Sequence, residues 1–264
     1  MSRIVEIFNS LKVKNRKGFI AYITAGDPTL EFTENLIQEL SCIGVDILEI
    51  GVPFSDPLAD GPVIQEAVER ALEHNTSISH IFEIIKRVRK TNKIPLVLFT
   101  YLNPVFQYGI ENFAKDASDA GIDGVLILDL PPEESLEIYP VIMRNNLDMI
   151  FIVSPTTENS RLDEIVRLST GFIYYVSHTG VTGEQSNIDS EIKKNVNFIK
   201  SKTEKPVAIG FGVSNPEQVK QVSGYGDAVV VGSAIVRRIK EYRNDPLGPK
   251  KVANFVNDLL KPLR

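Results

Sequence analysis

Residues 48–61, LEIGVPFSDPLADG, decide how the rest of the chain is read. The stretch opens as the end of an apolar strand, with Glu49 set among Ile47, Leu48 and Ile50. A charge inside an apolar strand is costly unless something uses it. Pro53 and Pro57 stiffen the loop that follows, restricting it to a few conformations. Asp60 and Gly61 close it, and Pro62 suits the first turn of a helix. Strand, stiff loop and helix make one βα unit, with a carboxylate at each end of the loop.

The same unit recurs along the chain. Short apolar runs at 19–24, 47–51, 96–101, 124–128, 149–153, 172–176, 206–209 and 228–231 read as strands. Helical patterns follow them at 30–43, 62–74, 112–120, 133–144 and 158–168, then to residue 200, at 215–222, and from Gly232-Ser233 onward. Loops are expected after Asn103-Pro104 and over 178–189. Strands that are apolar on both faces belong to a parallel sheet covered by helices. Eight such units without a dinucleotide fingerprint favour a closed barrel over an open doubly wound sheet. Extra helical patterns lie at the N-terminus (Ile4, Ile7, Phe8 and Leu11 on one face), at 78–90 and at 249–260. With no linker or composition break, residues 1–264 read as one α/β domain. It is a single (β/α)₈ TIM barrel with extra helices at the N-terminus, after strand 2 and after strand 8.

Composition narrows the function. A net charge of −5 offers no basic field for nucleic acid. The run Lys86–Lys90 reads as cations at a helix C-terminus. The single cysteine, Cys42, is expected on the apolar face of a helix and can form no intrachain disulfide, which suits a reducing compartment. No signal-peptide pattern or membrane-length apolar run is present, so the expectation is a soluble protein in the cytoplasm, or in the plastid stroma if plastid-encoded, with no membrane partner. His74, His80 and His178 are scattered, and neither a metal site nor a cofactor is expected.

The site of such a barrel lies at the C-terminal ends of its strands. That rule selects Thr24, Glu49, Tyr101, Asp129, Ser154, Tyr174 or Tyr175, and the last two βα loops. Three glycine clusters fall there: Gly180–Gly183, Gly210–Gly212 and Gly232-Ser233. Backbone N–H groups approach a phosphate closely where side chains are absent, and a helix start favours an anion. Each cluster alone fits an ordinary turn, and Ser233 an N-cap; together at one face they indicate a phosphorylated substrate. Glu49 in its apolar setting suits a general acid with a raised pKa, though it could instead be tied up in a buried salt bridge. Asp60 equally fits an N-cap. No lysine lies in a strand core, so a Schiff-base mechanism lacks its amine.

The stretch LEIGVPFSDPLADGP closely resembles the signature of the tryptophan synthase alpha subunit family. The resemblance extends to Ala25–Pro28, SHTGVTG at 177–183, Gly210–Val213 and Gly232–Val236. It implies cleavage of indole-3-glycerol phosphate to indole and glyceraldehyde 3-phosphate, in tryptophan biosynthesis, without a cofactor. It implies Glu49 as the acid/base acting at indole C3, Asp60 as acceptor for the indole N–H, and Tyr174 as the active-site tyrosine. Tyr22, Phe99, Leu126 and Ile152 would line the indole pocket, with Thr182 closing over Asp60. Gly183, Phe211, Gly212, Gly232 and Ser233 would hold the phosphate. Two departures stand out: Tyr22 where phenylalanine is frequent, and His178 where arginine is common. The implied partner is a pyridoxal-phosphate-dependent beta subunit in an α2β2 heterotetramer, facing the loops at 53–60 and 103–108. A stand-alone indole-glycerol-phosphate lyase is the alternative.

Overall fold

The computed structural model describes residues 2–177 and 185–264, with residues 185–189 described as helical backbone only. Its strands are β1 (Gly18–Thr24), β2 (Ile47–Gly51), β3 (Leu96–Thr100), β4 (Gly124–Ile127), β5 (Asp148–Ile150), β6 (Ile152–Val153), β7 (Ile173–Val176), β8 (Val207–Gly210) and β9 (Ala228–Val231). Its helices are α1 (Arg3–Val13), α2 (Leu30–Cys42), α3 (Pro62–Glu73), α4 (Ile78–Val88), α5 (Leu102–Tyr108) and α6 (Ile110–Ala120). They continue with α7 (Tyr139–Arg144), α8 (Asn159–Leu168), α9 (Gln185–Lys202), α10 (Pro216–Ser223), α11 (Ser233–Tyr242) and α12 (Gly248–Leu260).

Every strand pairing is parallel, in the order β5-β4-β3-β2-β1-β9-β8-β7-β6. The two ends of that order are consecutive in the chain and separated by Phe151 alone. The expected fifth strand is therefore two strands, β5 paired to β4 and β6 paired to β7. The ring closes across this break, giving eight staves of a (β/α)₈ barrel.

Alternation along each strand sorts the core into an inside and an outside. Ile20, Ile47, Val97, Leu126, Ile150, Tyr174, Ala208 and Val230 form the inner cluster. Their strand neighbours Phe19, Ala21, Leu48, Ile50, Leu98, Val125 and Tyr175 pack outward in the larger cluster with the helices. Helix α1 presents Ile4, Phe8 and Leu11 to the inner cluster, so the amphipathic N-terminal segment plugs the barrel floor. Aspartates brace the same end. Asp46 accepts the Phe19 N–H at 2.9 Å, Asp123 the Leu96 N–H at 2.8 Å, and Asp227 the Val207 N–H at 2.9 Å, each tying a stave to its predecessor.

Several local expectations are corrected. The segment expected as a loop at 103–108 is helix α5, because Pro104 sits in its first turn where a missing N–H is harmless. The helix expected over 133–144 reduces to a 3₁₀ turn, Pro132–Glu134, and α7, which carries Pro140 at its start. A continuous helix would set that proline ring against the carbonyl four residues earlier. Helix α9 begins at Gln185, inside the expected 178–189 loop. Cys42 is the last residue of α2 and is exposed, not on its apolar face. The basic run does end a helix, with Lys86 and Arg87 in the last turn of α4 and Arg89 as its C-cap; Arg89 in addition pairs with buried Asp123 at 2.8 Å and donates to the Gly121 carbonyl. Among the described residues, no helix is long and apolar enough to cross a membrane.

Candidate active site

Glu49 stands on the inner face of β2, in register with Tyr22 of β1. It is 0% exposed, and neither carboxylate oxygen has a hydrogen-bond partner among the described residues. The buried-salt-bridge alternative therefore finds no partner among the described residues. An ionised carboxylate in this setting would lack both water and a counter-charge. Desolvation accordingly pushes the Glu49 pKa up to about 8. Burial thus favours the protonated, uncharged form of this carboxyl.

Two tyrosines flank it. Tyr174 of β7 belongs to the inner cluster, and burial followed by the Glu49 charge holds its phenol well above the usual range. Its hydroxyl occupies space that a side chain at position 210 would fill, since a Cβ on Gly210 would lie 2.9 Å from it. Tyr22 lies over Gly51, where a Cβ would come within 2.2 Å of its hydroxyl. That hydroxyl shares a hydrogen bond of 3.3 Å with Thr24 Oγ1, and the ring meets Phe99 edge-on at 5.1 Å. Burial raises the Tyr22 pKa, and Asp60 and Glu49 both add to the rise, so both carboxylates bear on this phenol. Phe99, Leu126 and Ile152 complete the inner wall.

Asp60 turns away from the role of helix cap. The N-cap of α3 is Gly61, without a side-chain capping bond. The Asp60 carboxylate instead accepts from Tyr101 Oη at 3.0 Å. Tyr101 in turn accepts the Ala59 N–H at 3.0 Å and packs its ring on Phe54 at 5.4 Å. One phenol just past β3 thus grips the loop and orients its acid. Burial raises the Asp60 pKa and the Tyr101 bond opposes the rise. Sequence reading marks Tyr101 only as a residue at a strand end; its contact with Asp60 spans 41 positions and leaves no local signal.

The phosphate candidates fall at the ends of β8 and β9. Gly212 has φ +56°, and, its chain neighbours aside, no atom of the described residues lies within 4 Å of where its Cβ would be. A left-handed backbone facing open space leaves its N–H approachable. Gly232 is the N-cap of α11, again without a side-chain capping bond, and Ser233 is the first residue of that helix. Phe211 packs its ring against the outer core, which leaves its backbone as the part available to a ligand. Thr182, Gly183 and His178 lie outside the described residues.

An inner-facing neutral carboxyl, a second carboxylate aimed by a phenol, an apolar wall between them and a bare helix start can hold an aromatic phosphate ester and move a proton to it. The model of the family described as tryptophan synthase alpha chain matches residues 8–260. The tryptophan synthase alpha chain of Geobacter sulfurreducens is 48% identical over 259 residues, covering 98% of each chain. That of Solibacter usitatus is 43% identical over 259 residues, covering 98% of this chain and 97% of its own. Among solved structures, tryptophan synthase subunit alpha from Legionella pneumophila superposes with a TM-score of 0.93 at 36% identity, covering 100% of this chain and 98% of that one. The chain belongs to the tryptophan synthase alpha chain family.

Proposed function

We propose that this member of the family cleaves indole-3-glycerol phosphate to indole and glyceraldehyde 3-phosphate, with Glu49 as both acid and base. The observation that carries the reading is the buried, unpartnered Glu49 carboxyl with its pKa near 8. The reaction needs a proton delivered to an apolar aromatic ring, and a desolvated neutral acid in the barrel interior delivers one.

Glu49 gives its proton to indole C3, which places positive charge on the ring nitrogen. The indole N–H donates to the Asp60 carboxylate, which stabilises that charge; Tyr101 holds the carboxylate in place. The bond from C3 to the side chain breaks and its electron pair restores the aromatic ring. The side-chain hydroxyl becomes the aldehyde, and its proton passes to the Glu49 carboxylate, so the acid ends as it began. Tyr22, Phe99, Leu126, Ile152 and Tyr174 enclose the ring and exclude water. The backbone of Phe211, Gly212, Gly232 and Ser233 holds the phosphate. Thr182 and Gly183 are assigned from the family's pattern alone. None of the nine strands contains a lysine, which supports proton transfer by carboxyl groups over a Schiff base.

The indole passes to a beta subunit, and the assembly is an α2β2 heterotetramer. Leu58, 93% exposed in the loop after β2, and Phe106, 51% exposed on α5, support a partner on the C-terminal face. Glu49→Gln tests the assignment, because it keeps the shape and removes the transferable proton. Indole release should fall by about 10² to 10⁴ while substrate binding survives. Near-normal turnover of that variant, with or without a beta subunit, would refute the acid assignment.

A further inference from the structure

We propose that a cleft beneath the barrel, on the face opposite Glu49, is a second small-molecule site for an organic anion with an apolar body. The cleft has a volume of about 780 Å³ and lies between α1, the turn at Thr170-Gly171, the connection from α9 to β8, and Asp227. Small-molecule sites typically enclose roughly 300 to 1,000 Å³. Its apolar side is Val5, Phe8 and Leu11 of α1. Phe8 is backed by Phe172 at 5.8 Å, which fixes the ring a ligand would lie against.

The charge in the cleft runs against that of the whole chain. The protein is net −5, yet the cleft is lined by Lys12, Arg16, Lys17, Lys200 and Lys205 against only Asp148, Glu204 and Asp227. Two of the three carboxylates are already engaged. Asp227 takes Lys200 at 2.8 Å, Lys17 at 3.8 Å and the Val207 N–H. Asp148 accepts the Ser2 hydroxyl. Arg16 is paired with Asp46 outside the cleft lining. Lys12 and Lys205 remain with no carboxylate within 4 Å among the described residues. Lys205 donates to the Val166 carbonyl at 2.5 Å, which uses one of an ammonium's three donors. Burial lowers its pKa, as expected of a cation without a counter-charge. Thr170 Oγ1 accepts the Met149 N–H at 2.7 Å and keeps its own proton to donate.

Each lysine also sits near a helix end, Lys12 in the last turn of α1 and Lys205 against the last turn of α8, where a cation is favoured. That accounts for each one separately. It does not account for both lining one cavity with an apolar side and an uncommitted hydroxyl. A carboxylate or phosphate on an aromatic or short aliphatic body matches all three features, with the anion at the lysines and the body on Phe8 and Leu11.

The test titrates the ¹⁵N-labelled full chain with phenyl phosphate and, separately, with benzoate, following amide shifts. Saturable shifts at Val5, Lys12, Thr170, Gly171 and Lys205 with either probe are expected, and the tighter probe tells phosphate from carboxylate. Replacing both Lys12 and Lys205 by methionine should weaken that binding at least about tenfold, the scale of a lost charge-assisted hydrogen bond. Glu204→Lys, which reverses an exposed charge with no ion pair among the described residues, should tighten it several-fold. Gly212→Asp should leave the cleft shifts intact while removing any at the C-terminal face. Shifts confined to Gly212 and Ser233, no saturation with either probe, or unchanged affinity in the folded double variant would overturn the proposal. Should the double variant fail to fold, Glu204→Lys decides alone: equal or weaker binding refutes the site.

Discussion

Glu49→Gln should change stability as well as turnover, and the two effects come from the same burial. The Glu49 pKa is about 8 in the folded chain against a reference of 4.5. The native state therefore holds a proton that the unfolded chain releases over the intervening pH range. The stability tied to that proton is fully present below the unfolded value and is lost as pH rises toward the folded one. From those two values, wild type should lose roughly 1 kcal/mol by about pH 5 and roughly 5 kcal/mol by about pH 9 through this group. Glutamine does not ionise, so the variant escapes the loss. It retains a pH-independent cost for burying an amide, which cancels when the two pH values are compared. The stability of Glu49→Gln relative to wild type should thus rise by roughly 4 kcal/mol between about pH 5 and pH 9. Urea unfolding of both proteins at the two pH values measures it, each curve fitted to the same linear extrapolation. A stability difference that does not move with pH would mean that Glu49 ionises normally in the native state, and the neutral-acid mechanism would fall with it.

Tyr101→Phe should lower kcat/KM by about tenfold to a hundredfold, the range for a lost bond to a charged group. Because the bond now opposes the rise in the Asp60 pKa, its removal should also shift the acid limb of the pH–rate profile upward; an unmoved limb would deny Tyr101 its positioning role. Gly51→Ala forces a methyl against the Tyr22 ring and should destabilise the fold by about 1–3 kcal/mol, read from thermal or urea unfolding. Gly212→Asp places a like charge at the proposed phosphate site and should raise KM for the substrate, without a steric clash among the described residues. Its left-handed φ predicts a small stability loss in addition.

The sequence alone determined the class of fold, because strand and helix periodicity are local properties. Apolar runs on both faces demand a covered parallel sheet, and eight repeats of the unit fit a barrel. It also placed Glu49, since one charge among Ile47, Leu48 and Ile50 at a strand end is visible without any contact. Strand geometry requires Tyr174 and Tyr175 to face opposite ways, but which one faces inward comes from the family resemblance; the two core clusters place Tyr174 inside and Tyr175 outside. The tertiary structure decided the rest. Closure across Phe151 depends on β5 and β6 choosing different neighbours, a choice made by staves far apart in the chain. Asp60 was as good an N-cap as a ligand group until Tyr101, 41 positions away, claimed its carboxylate. The basic run at 86–90 marks a helix C-terminus locally, but the pairing of Arg89 with buried Asp123, 34 positions away, is set by packing alone. The basal cleft has no motif, because its lysines come from α1, the connection from α1 to β1, α9 and the connection beyond α9, and only packing brings them together. Local rules fix what each segment is, since backbone sterics and solvation act within a few residues. Which side chains meet is fixed by closure of the ring, a condition that no single segment carries.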